Sequence, residues 1–346
     1  MRSLPNSVLE AIDIARIPSP PEILLRLVRT VEDEQATMGE LATIVEQDPG
    51  LASRILSVAN SPALRRGREL KNLETCLIAL GTRLVRSLAT CLSIQKLFDR
   101  NANLDKFNVA DYWSHSLLVG EMARGIAELA EYPHPDEAYL SGLLHDIGEL
   151  ILLSAIGDPY HRFLANSLEN PKLQSEELQL FGTTHADVGG WLIDHWGLDS
   201  VLADGVAFHH TAATEIVTAT ALPQIVWIAQ ALSVTPDNSP ELGMVVNRSN
   251  PKLEMSALLV VRERAIQRAR QIAEALGITI ADDFPNRRTA APVAASSLPE
   301  PASAADDDLA TLVGGMALLQ PLQQDLFHLG SDTEVLLALR ESARIL

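Results

Sequence analysis

YLSGLLHDIGELILL, residues Tyr139 to Leu153, is an apolar run with helical spacing. Leu140, Leu143, Leu144, Ile147, Leu150 and Ile151 recur at threes and fours and cover most of a helix circumference, which predicts one fully buried helix. His145 and Asp146 stand in its middle. An ionised carboxylate inside an apolar helix costs several kcal/mol unless it is paired or metal-bound. Two explanations fit the pair: ligands of a metal ion, or a satisfied polar joint that locks helices together. The local sequence leaves both open.

Outward from this run, the chain supplies more histidines on helices. A helix opening near Asn108 carries Tyr112, Trp113, Leu117, Met122 and Ile126 with His115, and Pro133 and Pro135 break the chain before the central run. Thr184 to Gly197 predicts a helix with His185, Val188, Trp191, Leu192 and Trp196 inward, and Leu198 to His210 a helix ending in His209 and His210. A buried helix starts near Pro223, and an amphipathic one spans about Leu258 to Leu276, with Arg262, Arg264, Arg268 and Arg270 outward and Gly277 stopping it. Trp113, Trp191, Trp196 and Trp227 all fall here at helical spacing and are expected in the core.

The N-terminal third predicts short helices. Two amphipathic pieces between Pro5 and Val31 flank Pro18, Pro20 and Pro21. Thr37 with Glu40 forms a capping box, and Asp48 caps a helix with Pro49 at its first position. Asn60, Ser61 and Pro62 end that helix. A basic loop follows with Arg65, Arg66, Arg68 and Lys71, then a short helix capped by Asn72 and ending at Gly81, then a helix from Thr82 to about Phe98. The expected architecture is all-α and two-lobed, with residues 1–107 as the first lobe and 108–282 as the second. Residues 283–307, rich in Ala, Pro, Ser, Asp and Arg, read as a flexible linker, and 308–346 as the helical start of a truncated further domain.

Charge narrows the partners. The chain of 346 residues has a net charge of −18, and all of the negative excess lies after residue 106. Between Gly125 and Asn247 the only cations are Arg162 and Lys172, against 17 acids, a balance that repels nucleic acid and anionic lipid. Cys76 and Cys91 lie in helical patterns without metal spacing, as reduced core thiols of a cytosolic protein would. No charged-then-apolar signal opens the chain. The uncharged window Ile216 to Pro236 is a poor membrane span because it holds Pro223, Gln224 and Gln230. A cytoplasmic protein is expected.

His115, followed thirty residues later by His145 and Asp146, is what a metal site assembled across helices requires; imidazole and carboxylate donors suit Mn, Fe, Ni or Zn. His145 and Asp146 with His115 resemble the HD superfamily of metal-dependent phosphohydrolases. Asp48, Pro49, Leu51, the run Arg54 to Leu56, Ala59-Asn60-Ser61, Leu80-Gly81, Gly142 to Gly148 and His185 to Gly197 narrow the likeness to the HDOD domain, over roughly residues 4 to 280. That resemblance implies an all-helical regulatory module of bacterial signalling proteins, related to the HD-GYP phosphodiesterases. Within it, His185, His209 and His210 occupy positions like HD-GYP metal ligands. Leu319 to Leu346 resembles the opening helix of a GAF-type sensor domain, which implies a longer natural chain.

Departures from the pattern set the functional expectation. The helix that would supply a closing carboxylate, Ile225 to Val234, offers only Gln230, and the family's catalytic lysine after HD-x-G is Glu149, reversing the charge beside an expected phosphate. No Gly-Tyr-Pro element follows His210. The expectation is a non-catalytic module that binds a signalling partner or ligand and relays its state to a downstream domain. Arg65, Arg66, Arg68 and Lys71 offer it a docking patch, and homodimerisation stays open. No cofactor is expected, with a divalent metal on His115, His145, Asp146, His185, His209 and His210 left possible. The alternative is a metal-dependent HD phosphohydrolase acting on nucleotides, cyclic or linear.

Overall fold

A computed structural model describes residues 37–61, 73–98, 107–167, 173–234, 240–250 and 252–281, with Leu4, Val8, Arg26, Leu70, Leu104 and Phe284. The chain divides into compact units of residues 1–291 and 292–346, and every described residue lies in the first. Arg65, Arg66, Arg68 and Lys71 lie outside the described residues, as do Asn72, most of 1–36, the bulk of the expected linker and all of 308–346. Among the described residues every regular element is a helix.

Local chemistry builds the first four. In α1 (Met38–Glu46) the capping box forms, the Thr37 N–H donating to Glu40 Oε2 at 2.7 Å while Thr37 Oγ1 accepts from the Glu40 N–H. Asp48 caps α2 (Pro49–Ala59) through Oδ1, and its Oδ2 takes Lys96 Nζ at 2.7 Å, tying α2 to α4 (Thr82–Phe98). Asn60 holds Leu70, ten residues on and just ahead of α3 (Leu73–Leu80), through two 2.8 Å hydrogen bonds. Gly81, at φ 80°, makes the turn into α4 that a side chain would strain.

The site-bearing half is organised on α5 (Val109–Leu129), which packs along α6 (Pro135–Leu144), α13 (Ala221–Val234) and α15 (Met255–Leu276). Next come α7 (Ile147–Ile156), α8 (Asp158–Ser167), α9 (Leu173–Phe181), α10 (His185–His195), α11 (Ser200–Ala207), the single turn α12 (Ala213–Ile216) and, after α13, α14 (Pro240–Ser249). All four tryptophans and both cysteines are buried, the thiols free. Phe284, at the start of the expected linker, is buried, and its carbonyl accepts from Arg270 Nη2 at 2.8 Å.

The expectation of one unbroken central helix is corrected. α6 stops at Leu144 and α7 starts at Ile147, with Asp146 in the bridge region at φ −99°, ψ 11°. Neighbouring side chains on a regular helix diverge by about 100°, yet His145 Nε2 and Asp146 Oδ2 lie 3.1 Å apart. The break turns both onto one site. Apolar spacing runs through it unchanged, which is why periodicity missed it. Leu198 to His210 is likewise shorter as a helix: α11, capped by Asp199, ends at Ala207 and leaves both histidines in the turn beyond. The span Pro135–Ile156 is long and apolar enough to cross a membrane, but 83% of its apolar window is buried inside the fold. α13, within the window weighed above, is too short to span.

Arg124 ties the first helices to the second half. Buried on α5, it pairs with Glu121 at 2.8 Å and Asp136 at 3.0 Å, donates to Ser87 Oγ of α4, and lies 4.0 Å above the Tyr139 ring.

Candidate metal centre

Five imidazoles from four places in the chain converge on the Asp146 carboxylate, itself at one of them. His115 comes from the second turn of α5, His145 and Asp146 from the break between α6 and α7, His185 from the first position of α10, and His209 and His210 from the turn after α11. Asp146 is shared by two groups whose donor atoms lie within 4.8 Å of one another: His115, His145 and Asp146, and Asp146, His185, His209 and His210. All are buried except His210, which is partly exposed.

Close helix packing makes the convergence possible. A Cβ added to Gly148 would sit 1.9 Å from the carbonyl oxygen of His185, so only glycine lets α7 approach the start of α10 this closely. Thr184 fixes that start, its Oγ1 accepting from the Asp187 N–H. Trp227 of α13 donates its indole N–H to the Thr211 carbonyl at 2.8 Å, anchoring the segment just after His210.

The imidazoles are oriented from behind. His145 donates Nδ1–H to the Gly142 carbonyl at 2.8 Å, and His209 donates Nδ1–H to the Val206 carbonyl at 2.6 Å. Both rings therefore turn Nε2 toward Asp146, at 3.1 Å from Oδ2 for His145 and 3.4 Å from Oδ1 for His209. His145 Nε2 is buried without a hydrogen bond. His185 sets Nδ1 on Glu177 Oε2 at 2.8 Å and Nε2 at 3.3 Å from His209 Nε2. His115 differs: its Nε2 meets Gln230 Oε1 at 3.0 Å and lies 3.7 Å from Asp146.

The electrostatics follow the packing. Burial alone would lower the His185 pKa, but Glu177, with help from Asp146 and Glu149, outweighs it and pushes the imidazole up to about 9. Burial would raise Glu177; the charge and hydrogen bond of His185, with the Tyr160 hydroxyl, hold it below the usual carboxylate range. His209 is pushed down to about 4, by burial first and then by its histidine neighbours, against the pull of Asp146. A neutral imidazole with Nδ1 committed to a carbonyl and Nε2 turned inward is a metal donor. The orphaned His145 nitrogen, the fixed tautomers and the shared carboxylate fit a divalent ion of the Mn, Fe, Ni or Zn class.

The structure thus brings together all six histidine and aspartate candidates. Gln230 stands where its helix assignment puts it. Glu149 is fully buried in the first turn of α7, its charge felt by His185 and Tyr160. Glu177 and Tyr160 were not found from sequence.

Residues 17–212, more than half of the chain, match the family model described as HDOD domain. The structure is similar to that of an HDOD domain protein of unknown function from Geobacter sulfurreducens, at 24% identity and a TM-score of 0.62 over 80% of this chain and 99% of that one. It is also similar to a protein of Shewanella amazonensis SB2B provisionally named a phosphohydrolase, at 21% identity and a TM-score of 0.60 over 78% and 98% of the two chains. An uncharacterized protein of Treponema pallidum (strain Nichols) is 22% identical over 211 residues, 60% of this chain. The chain spans 40% of the length of that curated relative. At these identities the structural likenesses establish the helical fold and nothing finer.

Proposed function

Because the chain belongs to the HDOD domain family, we propose that it is a regulatory module that keeps the metal donors of its central cluster but not the equipment to hydrolyse a phosphodiester. The observation that carries this is Gln230. α13 presents a neutral amide where a carboxylate would close the site, and that amide engages His115 Nε2 at 3.0 Å.

Charge supports the same reading. A phosphodiester in its transition state needs cationic stabilisation. The segment from Gly125 to Asn247, which supplies five of the six site residues, carries only Arg162 and Lys172. Arg162 is exposed on α8, and Lys172 lies outside the described residues. The nearby buried acids Glu149 and Glu177 add negative charge. Such a module docks a signalling partner or ligand and relays its state along the chain.

The alternative, a metal-dependent phosphohydrolase, is favoured by one feature: Asp146 lies between two donor groups, as a carboxylate between two ions does. In that reading His115, His145, Asp146, His185, His209 and His210 hold the metal, whose contribution is Lewis-acid activation of water. Hydrolysis of bis(p-nitrophenyl) phosphate in excess manganese separates the two. Equal background rates are expected for the wild type and Asp146→Ala; a faster wild type transfers the assignment to the hydrolase.

A further inference from the structure

We infer that Glu177 is the positioning residue of the cluster: a buried carboxylate that, held by Tyr160, fixes His185 with Nε2 turned toward Asp146 and His209. The inference rests on the cluster being a metal site and adds a residue from outside it.

Glu177 lies on α9, eight positions before His185, across a turn in which Gly182 adopts φ 71°. Its side chain is fully buried, a costly place for a carboxylate. Both oxygens are engaged: Oε1 accepts from the Tyr160 hydroxyl at 2.5 Å and Oε2 from His185 Nδ1–H at 2.8 Å. Tyr160, on α8, is buried as well and stacks edge-on against Phe181 at the end of α9. Hydroxyl, carboxylate and imidazole thus form a chain from α8 through α9 to α10.

The other inward imidazoles are oriented by neutral main-chain carbonyls, Gly142 for His145 and Val206 for His209. His185 alone among these three is oriented by a charged side chain. A carboxylate on the far nitrogen fixes the tautomer, holds the ring plane and makes the ligating nitrogen more basic. Glu177 touches no ion itself. It acts through His185, and Tyr160 acts through Glu177.

The test uses the full chain and Co(II) as the probe, with affinity read by competition against a chromophoric chelator and geometry by the visible ligand-field spectrum. Glu177→Gln keeps the shape and removes the charge. It is expected to weaken Co(II) binding by roughly 10- to 100-fold and to shift the ligand-field bands. Tyr160→Phe should weaken binding by a smaller factor. His185→Ala should weaken it comparably, and the double variant Glu177→Gln/His185→Ala should be no worse than His185→Ala alone.

Unchanged Co(II) affinity and spectrum in Glu177→Gln overturn the inference while leaving the metal site intact, since a purely structural residue would move only the melting temperature. If Glu177→Gln does not fold, Tyr160→Phe decides by the same criterion. A wild-type chain that takes up no Co(II) overturns both the inference and the metal reading, and does so before any variant is compared.

Discussion

Asp146 and Arg124 show two kinds of interior charge. Asp146 lies among imidazoles at 3.1 to 3.7 Å, a donor set that a bound cation would complete, whereas Arg124 is neutralised by Glu121 and Asp136 and capped by the Tyr139 ring. Removing one partner of a buried ion pair leaves the other uncompensated. Arg124→Met is accordingly expected to destabilise by about 3–5 kcal/mol, read as a lower denaturant midpoint at unchanged slope. Asp48 illustrates the solvent-facing case. It caps α2 and pairs with Lys96, whose hydrogen bond holds the carboxyl below its ordinary 3.8 despite some desolvation. Asp48→Ala should cost about 1 kcal/mol for the cap, and the exposed pair adds little. A depressed folded pKa gives stability that is complete above the unfolded value and vanishes as pH falls through the folded one. The gap between wild type and Asp48→Ala should therefore be constant at neutral pH and close below pH 3.8.

At the scale of elements, the contact of α7 with the start of α10 decides whether the site exists. Gly148→Ala places a methyl 1.9 Å from one main-chain atom and 2.8 Å from another, the Gly189 nitrogen. Neither is a side-chain tip that can swing aside. The expected loss exceeds the roughly 1–3 kcal/mol usual for overpacking, accompanied by loss of Co(II) affinity. Gly243→Ala in α14, with nothing within 4 Å, is the control and should be neutral or stabilising in thermal melts. Legibility from sequence follows the same division. The Thr37–Glu40 box, the Asp48 cap and the Gly277 stop were readable because each is satisfied within a few residues. The histidines were readable as candidates because their spacing on helices is local, while their meeting at Asp146 is not. Glu177 was illegible for a definite reason. On α9 it is buried while Leu178 and Leu180 are 53% and 64% exposed, the reverse of what apolar patterning assigns. Only the arrival of Tyr160 and His185 from other helices makes that inversion favourable.

For the molecule as a whole, charge is the dominant feature. A net −18 concentrated in the site-bearing half predicts that the chain does not bind duplex DNA or anionic vesicles even at low ionic strength, where basic patches would show themselves. Retention on a DNA column at 50 mM salt, on the order of the ionic strength where such contacts are strongest, would contradict this. On the proposed reading the same excess of acid favours a cation at the site over a phosphodiester.

The most direct measurement of that asymmetry takes one sample through two readings. The full chain, purified without chelator and supplied with manganese, is analysed for bound metal and then incubated with a cyclic dinucleotide. The account predicts a tightly held divalent ion that is lost in Asp146→Ala, together with an intact dinucleotide. Cleavage by the wild type that disappears in Asp146→Ala would contradict it.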